Sequence, residues 1–394
     1  MSLYGLGLLG RVSLLGFRYL GDLLTICWPL HLTRVNLKKW TRGITISLGL
    51  KDTQVTSIAT VRCTRLSNNI NQRGNTVLSS FNLLREWLAS QILGQSKMVD
   101  RLLIALLADG HLLVEGAPGL AKTKAIKSLS EGIEGSFARI QFTPDLLPSD
   151  ITGTEIYRPE TGEFKFQQGP IFHNLVLADE INRAPAKVQS ALLEAMAERQ
   201  VSVGRKTISL PPLFLVMATQ NPIEQEGTYP LPEAQLDRFL MHITIEYPDI
   251  NAERSILALA RGEALAQATQ QPEQELDQAS IFAARKAVMQ LHMAEPVEEY
   301  IVQLVLATRN PSSYGNDIAN WLEYGASPRA TIALDRCARA HAWLAGRDYV
   351  SPDDVQAIAH DCLRHRLILT YTAEADGVTA DSVIDALLSR VPIA

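Results

Sequence analysis

The residues best suited to chemistry lie in one stretch, 111–123, whose sequence is HLLVEGAPGLAKT. Its apolar start predicts a short buried strand over Leu112–Val114, and glycine and proline then break that strand. Lys122 and Thr123 open a helical pattern directly afterwards. A strand, a glycine-rich loop, Lys-Thr and a helix form the layout of a phosphate-binding loop, whereas the alternative is an ordinary glycine-rich turn before a helix.

A loop of this kind binds phosphate mainly through its backbone. Successive N–H groups can turn inward and form a nest for phosphate oxygens, and the N-terminus of the helix adds the positive end of its dipole. The Lys122 ammonium can reach the β- and γ-phosphates, and the Thr123 hydroxyl can bind Mg²⁺. The predicted phosphate-binding residues are Gly116, Ala117, Pro118, Gly119, Leu120, Ala121, Lys122 and Thr123.

One position departs from the usual spacing of such loops, which have glycine directly before the lysine. This chain has Ala121 there. Glycine is required only where the backbone φ angle is positive. We therefore expect Ala121 to fit beside the start of the helix without strain.

A pair of acids follows the loop by about 55 residues. The apolar run Leu175–Ala178 predicts a buried strand that ends in Asp179 and Glu180. In open α/β sheets the carboxyl ends of the strands carry the ligands. We expect Asp179 to hold Mg²⁺ together with Thr123, and Glu180 to orient and deprotonate an attacking water. The alternative is a solvated acidic turn.

A further strand is predicted over Leu213–Ala218, and it ends in Thr-Gln-Asn-Pro. Asn221 would then lie near the sheet edge that bears Asp179, where its amide could hydrogen-bond the γ-phosphate or the water. The alternative is that Asn-Pro only forms a turn. Arg238, taken alone, would be an ordinary surface arginine in an ion pair.

Hydrophobic periodicity predicts alternating helices and strands up to about residue 248 and helices afterwards. The predicted strands are 112–114, 137–142, 175–178, 213–218 and 241–246, and hairpins are predicted near 156–166 and 201–210. The predicted helices are 77–92, 97–108, 122–133, 185–198, 251–265, 278–293, 295–309, 328–345, 352–366 and 381–390. Ser327 and Pro328 give one of these helices an N-cap and a first-turn proline.

The first 75 residues differ from the rest in charge. They carry ten Lys or Arg and two Asp or Glu, a net charge of +8, whereas the remaining residues carry a net charge of −13. Charges interrupt every apolar run before it reaches the ~18 residues that a membrane helix needs. A basic start is typical of an organelle-targeting peptide or a weak secretory signal. We favour instead a weakly ordered extension over residues 1–76, or translated sequence upstream of the true start.

The composition limits the classes of function. An acidic body argues against general nucleic-acid binding. The four cysteines lie far apart and form no metal-binding or disulfide pattern, which is typical of a reducing compartment. We therefore expect a cytoplasmic protein with no stable membrane insertion and no nucleic-acid partner.

Several blocks between about residue 78 and the C-terminus together resemble the MoxR family of AAA+ ATPases. The blocks are GAPGLAKT (116–123), QFTPDLLPSDITG (141–153), ADEINRA (178–184), ATQNP (218–222), EAQLDRF (233–239) and GASPRA (325–330). The resemblance implies an α/β fold in two parts. These are a three-layer α-β-α nucleotide domain with a five-stranded parallel sheet over 77–248, and a small all-α lid domain over 249–394.

The resemblance also implies roles for individual residues. Asn221 corresponds to the family's sensor 1 and Arg329 to its sensor 2. Arg238 corresponds to an arginine finger that a neighbouring subunit supplies. Gly94 and Gln95 match the position near the adenine. Because the lid of this family can be displaced, it stays open whether Arg329 serves its own site or a neighbour's.

The implied function is Mg²⁺-dependent ATP hydrolysis by a homo-oligomeric ring, expected to be a hexamer. ATP turnover would drive chaperone-like remodelling or maturation of a protein complex, with a protein client and a partner that carries a von Willebrand factor A domain. Three alternatives stay open. They are a DNA-translocating AAA+ motor, an ATP-binding scaffold or switch without turnover, and a magnesium-chelatase-like subunit.

Overall fold

The computed structural model describes residues 36–40, 43–47, 77–204, 206–222, 227–264, 272 and 275–393. Within the predicted extension it describes two strands, β1 (Asn36–Trp40) and β2 (Gly43–Ser47), which pair antiparallel as a hairpin. The other residues of the extension lie outside the described part, so its weakly ordered character stays a prediction. A second compact unit extends from Gly74 to Ala394.

A five-stranded parallel sheet is the centre of this second unit, as predicted. The strands of its first half are β3 (Leu112–Gly116), β4 (Phe137–Gln141), β5 (Gly153–Arg158), β6 (Glu163–Gln168), β7 (Leu175–Asp179), β8 (Gln200–Val203), β9 (Lys206–Ser209), β10 (Leu215–Gln220) and β11 (Met241–Ile245). The sheet has the order β11-β3-β10-β7-β4. Because all its strands are parallel, their carboxyl ends meet at one edge. The remaining strands form two hairpins, β5–β6 and β8–β9, where hairpins were predicted.

Helices cover both faces of the sheet. They are α1 (77–91), α2 (Ser96–Ala108), α3 (Lys122–Gly132), α4 (Pro148–Thr152), α5 (Ala186–Glu198) and α6 (Glu233–Leu236). Successive strand residues point to opposite faces. On β3, Leu112 and Val114 therefore enter the core shared with α2 and α3, whereas Leu113 enters the core shared with α5. The result is the predicted three-layer arrangement.

The second half is mainly helical. Its elements are α7 (Ile250–Ala264), α8 (Gln278–Met289), β12 (His292–Met293), α9 (Glu295–Arg309), α10 (Asn316–Trp321), β13 (Leu322–Tyr324), α11 (Pro328–Leu344), β14 (Tyr349–Val350), α12 (Pro352–Leu363), β15 (Ile368–Leu369), α13 (Tyr371–Ala375) and α14 (Ala380–Arg390). The short helices α10 and α13 and the two-stranded pairs β12–β14 and β13–β15 were not predicted. They are too short to give a periodic sequence signal.

The helical part packs beside the sheet. Helices α8 and α11 contact α2, and α12 contacts β11. Two hydrogen bonds donated by arginine side chains connect the helical part to the sheet half. Arg101 of α2 donates to the buried Asp361 of α12 over 2.6 Å, and Arg364 donates to the carbonyl of His242 in β11 over 2.7 Å.

The predicted domain boundary at 248–249 falls between β11 and α7. Since both halves belong to one compact unit, this boundary stays a prediction. Among the helices of the described part, none is both long and apolar enough to span a bilayer.

Candidate functional site

The phosphate-binding loop connects β3 to α3 at the carboxyl edge of the sheet. Gly119 has a φ of +84°, and a Cβ there would meet no atom within 4 Å. Gly116 lies where a Cβ would approach the carbonyl oxygen of Ile245 to 3.0 Å. The loop therefore has one glycine for its left-handed turn and one for close packing against β11.

Ala121 lies in the left-handed region, with a φ of +55° directly before α3. The expectation that alanine fits there without strain is therefore wrong. A left-handed conformation costs an L-residue roughly 1–2 kcal/mol. Backbone strain of this kind is concentrated at functional sites, where surrounding contacts maintain it.

Lys122 points back over the loop. Its ammonium donates to the carbonyl of Gly116 at 2.6 Å and to that of Gln220, at the end of β10, at 3.3 Å. Burial lowers the pKa of Lys122, while the charges of Asp179 and Glu180 act in the opposite direction. The ammonium thus lies between the loop and the ends of two strands, close to both acids.

Asp179 ends β7 with both carboxylate oxygens engaged. The Thr219 hydroxyl on β10 donates to Oδ1 at 2.6 Å. The Arg139 guanidinium on β4 donates to Oδ2 at 2.7 Å. Thr219 is 1% exposed and also accepts the backbone N–H of Glu180 at 2.9 Å. One hydroxyl therefore fixes the positions of both acids.

Glu180 follows β7 in a left-handed backbone conformation, with a φ of +57°. Its carboxylate accepts a hydrogen bond from the Gln141 amide at 2.8 Å and forms an ion pair with Arg183 at 3.2 Å. The sharp turn directs residue 180 away from the buried course of the strand. This is the second strained non-glycine residue at the same sheet edge.

One cavity of about 380 Å³ joins these groups, and we call it the phosphate cavity. Its lining residues are Pro118, Gly119, Leu120, Ala121, Lys122, Thr123, Lys124, Asp179, Glu180 and Asn221. The structure therefore places Asn221 with the acids and the loop, and Gly116 and Ala117 at the start of that loop. Within the described ranges, no lining residue of this cavity comes from the mainly helical part that begins with α7.

The cavity fits a polyphosphate with a divalent cation. Thr123 and Asp179 offer a hydroxyl and a carboxylate, the hard oxygen donors that Mg²⁺ prefers. The open space at Gly119 leaves the loop backbone accessible to phosphate oxygens.

Gly94 and Gln95, predicted near the adenine, lie next to the end of β11. The Gln95 amide donates to the carbonyl of Glu246 at 2.9 Å, and a Cβ at Gly94 would meet the Ala252 side chain. Since Ile245 pairs with Gly116, Gln95 lies near the start of the phosphate-binding loop. The adenine contact itself stays a prediction.

Arg238 and Arg329 lie in a different place. Both line a second cleft of about 370 Å³, which we call the arginine cleft. Its charged lining residues are Asp109, Arg199, Asp237, Arg238, Arg329, Arg336 and Arg366. Arg238 donates to the carbonyl of Leu193 at 2.6 Å. Within the described part of the chain, neither Arg238 nor Arg329 lines the phosphate cavity.

Asp237 connects Arg238 to the helical half. It accepts from Arg366 at 2.8 Å and from the Ser327 hydroxyl at 2.8 Å, and Arg329 lies 3.4 Å away. Ser327 also caps α11, as predicted, by accepting the N–H of Arg329. The backbone at Arg238 is thus held by residues from after the predicted boundary.

Sequence reasoning missed Arg139, Gln141 and Thr219, which contact the two acids. A signal for two of them exists, because Arg139 and Gln141 alternate at the carboxyl end of a strand and so share one face. That β4 neighbours β7 could not be read from that pattern. Arg336 was missed because a single arginine in a helix is uninformative.

Two family profiles match the chain. The profile of the ATPase family associated with various cellular activities (AAA) matches residues 111–241, and that of the AAA lid domain matches residues 317–387. The first match begins just before β3 and includes all the lining residues of the phosphate cavity.

Known proteins are similar over most of the chain. Chaperone MoxR1 of Mycobacterium tuberculosis is 48% identical over 77% of this chain and 79% of its own length. Uncharacterized protein YeaC of Bacillus subtilis is 46% identical over 74% of this chain and 88% of its own length. The crystal structure of a proposed ATPase from Cytophaga hutchinsonii is 44% identical, with a TM-score of 0.77 over 83% of this chain and 98% of that one. The chain therefore belongs to the MoxR family of AAA+ ATPases, as its strand order, its phosphate-binding loop and its similarity to these relatives show.

Proposed function

We propose that this ATPase hydrolyses ATP in a Mg²⁺-dependent reaction and uses the energy to remodel or mature a protein complex. The observation that carries the proposal is the phosphate cavity, where Lys122, Asp179 and Glu180 converge. Lys122 binds the phosphate tail, and Asn221 hydrogen-bonds the γ-phosphate or the water. Glu180 orients the water and accepts its proton.

Thr123 and Asp179 are the residues that would hold the metal. When bound, Mg²⁺ neutralises charge that develops on the phosphate oxygens. Thr219 orients the Asp179 carboxylate for this role through its 2.6 Å hydrogen bond. Supporting groups of this kind tune a metal site as much as its ligands do.

We propose that the active assembly is a homo-oligomeric ring, with six subunits as the family resemblance implies. The separation of Arg238 and Arg329 from the phosphate cavity supports this proposal. In a ring, the arginine cleft of one subunit can face the phosphate cavity of the next. Both arginines then act on a neighbour's nucleotide, Arg238 as the finger and Arg329 as sensor 2. Native mass spectrometry with ATP measures the subunit number.

The client is proposed to be a protein, reached through a partner with a von Willebrand factor A domain. This proposal rests on the family resemblance and on the chaperone role that the name of MoxR1 states. We also propose a cytoplasmic location. Cys337 and Cys362 are buried free thiols, which is typical of a reducing compartment.

The domain organisation is proposed as an extension (1–76), a nucleotide domain (77–248) with Gly94 and Gln95 beside the adenine, and a lid (249–394). A chain that begins at Val77 should then retain ATP turnover. Loss of all turnover in that chain would contradict a dispensable extension.

A substrate trap tests the function. Glu180→Gln should bind ATP and retain the client, because the bound nucleotide is not hydrolysed. The matched control is Lys122→Ala in the Glu180→Gln background, which cannot hold ATP. Proteins that copurify with the single variant and not with the double variant support the proposal. Stimulation of wild-type turnover by DNA, with no protein retained, would support the motor alternative instead.

A further inference from the structure

The arginine cleft carries more positive charge than its own carboxylates can match. Five arginines and two aspartates line it, together with His111. Burial lowers the pKa of His111 to about 4, so this histidine is neutral at pH 7. Three positive charges are therefore in excess in one cleft of about 370 Å³.

The two aspartates already have close partners. Asp109 forms an ion pair with Arg199 at 2.6 Å and another with Arg285 at 2.5 Å. Asp237 accepts from Arg366 at 2.8 Å, and Arg329 is its more distant neighbour at 3.4 Å. The excess charge therefore resides on Arg238, Arg329 and Arg336.

Arg336 is the least satisfied of the three. Arg238 donates to a backbone carbonyl, and Arg329 has its long contact with Asp237. Arg336 is partly buried, yet among the described residues it donates no hydrogen bond and forms no ion pair. Its guanidinium nitrogens are not among the buried polar atoms that lack a partner, so they keep contact with water. An anion that enters the cleft can therefore bind them without displacing an internal partner.

The position of Arg336 on α11 suits an elongated anion. Residues seven apart lie on one face of a helix, two turns and about 10 Å apart along its axis. Arg329 and Arg336 have this spacing, and both line the cleft. Side chains of a helix lean toward its N-terminus, so the longer reach of Arg336 is toward Arg329. A guanidinium fork also matches phosphate geometry.

We propose that Arg336 binds the polyphosphate of a nucleotide held by a neighbouring copy of this chain, next to Arg238 and Arg329. The inference rests on the proposed ring. It adds a third cationic side chain to the two that the family motifs identify. Arg336 gives the cleft enough charge to match the γ- and β-phosphates together.

The first test measures ATP hydrolysis by the assembled protein. Arg336→Gln should lower kcat/KM about 10- to 100-fold, because a hydrogen bond to a charged group is lost. Arg336→Lys should recover part of the loss, since it restores the charge without the fork. Arg261→Gln is the matched control, an exposed arginine of α7 outside the cleft, and should behave as wild type. Unchanged kcat/KM in Arg336→Gln would overturn the inference.

The second test mixes variants. Lys122→Ala subunits have an intact arginine cleft, and Arg336→Gln subunits have an intact phosphate cavity. Random mixing in equal amounts should make about a quarter of the interfaces complete and restore turnover in that proportion. A mixture of Lys122→Ala with Arg238→Ala subunits is the reference, because it tests whether an arginine of the cleft acts on a neighbouring subunit at all.

The outcomes separate the two proposals. Recovery with both Arg238→Ala and Arg336→Gln supports the inference. Recovery with Arg238→Ala alone overturns the role of Arg336 and leaves the ring mechanism in place. Recovery with neither overturns the shared site itself, and the role of Arg336 with it. Thermal unfolding at the wild-type temperature shows that the Gln and Lys variants are folded.

Discussion

The phosphate cavity and the arginine cleft differ in how their charges are matched. In the cavity, Lys122 lies close to two acids, and both acids have further partners of their own in Arg139 and Arg183. In the cleft, three arginines exceed the available carboxylates. The cavity is built to hold an anion and a cation together, whereas the cleft has only the charge that an anion would complement. We propose that each is half of a nucleotide site, because the residues that line one region do not line the other.

The largest expected effect comes from the cleft. Because we propose Arg238 as an arginine finger, and such fingers contribute about 10³–10⁵-fold to phosphoryl transfer, Arg238→Ala should lower ATP turnover by that factor. Nucleotide affinity should hardly change, because Arg238 does not line the phosphate cavity of its own subunit. Phosphate release and binding of a fluorescent nucleotide measure the two quantities. If wild-type and variant monomers hydrolyse ATP equally well, Arg238 is not an arginine finger that acts on a neighbouring subunit.

The corresponding change in the cavity is Glu180→Gln. Because we propose Glu180 as the base that accepts the proton of the water, its replacement should lower turnover by about 10²–10⁴-fold, while ATP still binds. Steady-state phosphate release together with equilibrium binding checks this. Turnover at the wild-type rate would mean that another group activates the water.

A smaller effect concerns the pH dependence of stability at the cleft. His111 accepts the N–H of Val216 and lies 3.3 Å from the carbonyl of Met196. Burial first, and then the charge of Arg199, lowers its pKa to about 4 from 6.5. Because the folded-state pKa is lower, the unfolded chain binds the proton first as the pH falls. The stabilisation is complete above pH 6.5 and decreases toward pH 4.

Urea unfolding at pH 7 and pH 5 measures this contribution. Wild type should lose about 2 kcal/mol more of its unfolding free energy over this interval than His111→Gln. The carboxylates titrate in both proteins and cancel in the comparison. An equal loss in both proteins would mean that the pKa of His111 is the same in the folded and unfolded chains. Burial also lowers the pKa of His365, but this residue is present in both proteins, so its contribution cancels in the comparison.

The smallest effect concerns the backbone of the phosphate-binding loop. Ala121→Gly should raise the unfolding free energy by about 0.5–1 kcal/mol, because glycine accepts a positive φ without strain. The control is Ala283→Gly, at an exposed position inside α8, which should lose about 1 kcal/mol. Opposite signs support local strain at residue 121. A loss at both positions would contradict it.

The cavity was largely readable from the sequence, because its residues come from short segments with strong local patterns. Lys122 follows a glycine-rich loop, and Asp179 and Glu180 end an apolar strand. Parallel strands then bring these ends to one edge. The strain at Ala121 was not readable, since φ depends on how the loop leaves β3.

The sequence did not predict that the residues of the arginine cleft lie together. Asp237, Arg329 and Arg366 are far apart in sequence and meet only because α11 and α12 pack against the sheet half. The motif match identified Arg238 and Arg329 as separate residues. The place of Arg336 depended on which face of α11 remains uncovered, and helix periodicity alone does not determine that.

The hydroxyl of Thr219 has one proton, and that proton is committed to the Asp179 carboxylate. The oxygen can therefore only accept from the Glu180 N–H, and the polarity of both bonds is fixed. Valine has the same shape but would leave a carboxylate oxygen and an amide proton without their partner in the interior. Serine keeps a hydroxyl that can make both bonds, so we expect position 219 to tolerate a change of volume better than a change of polarity.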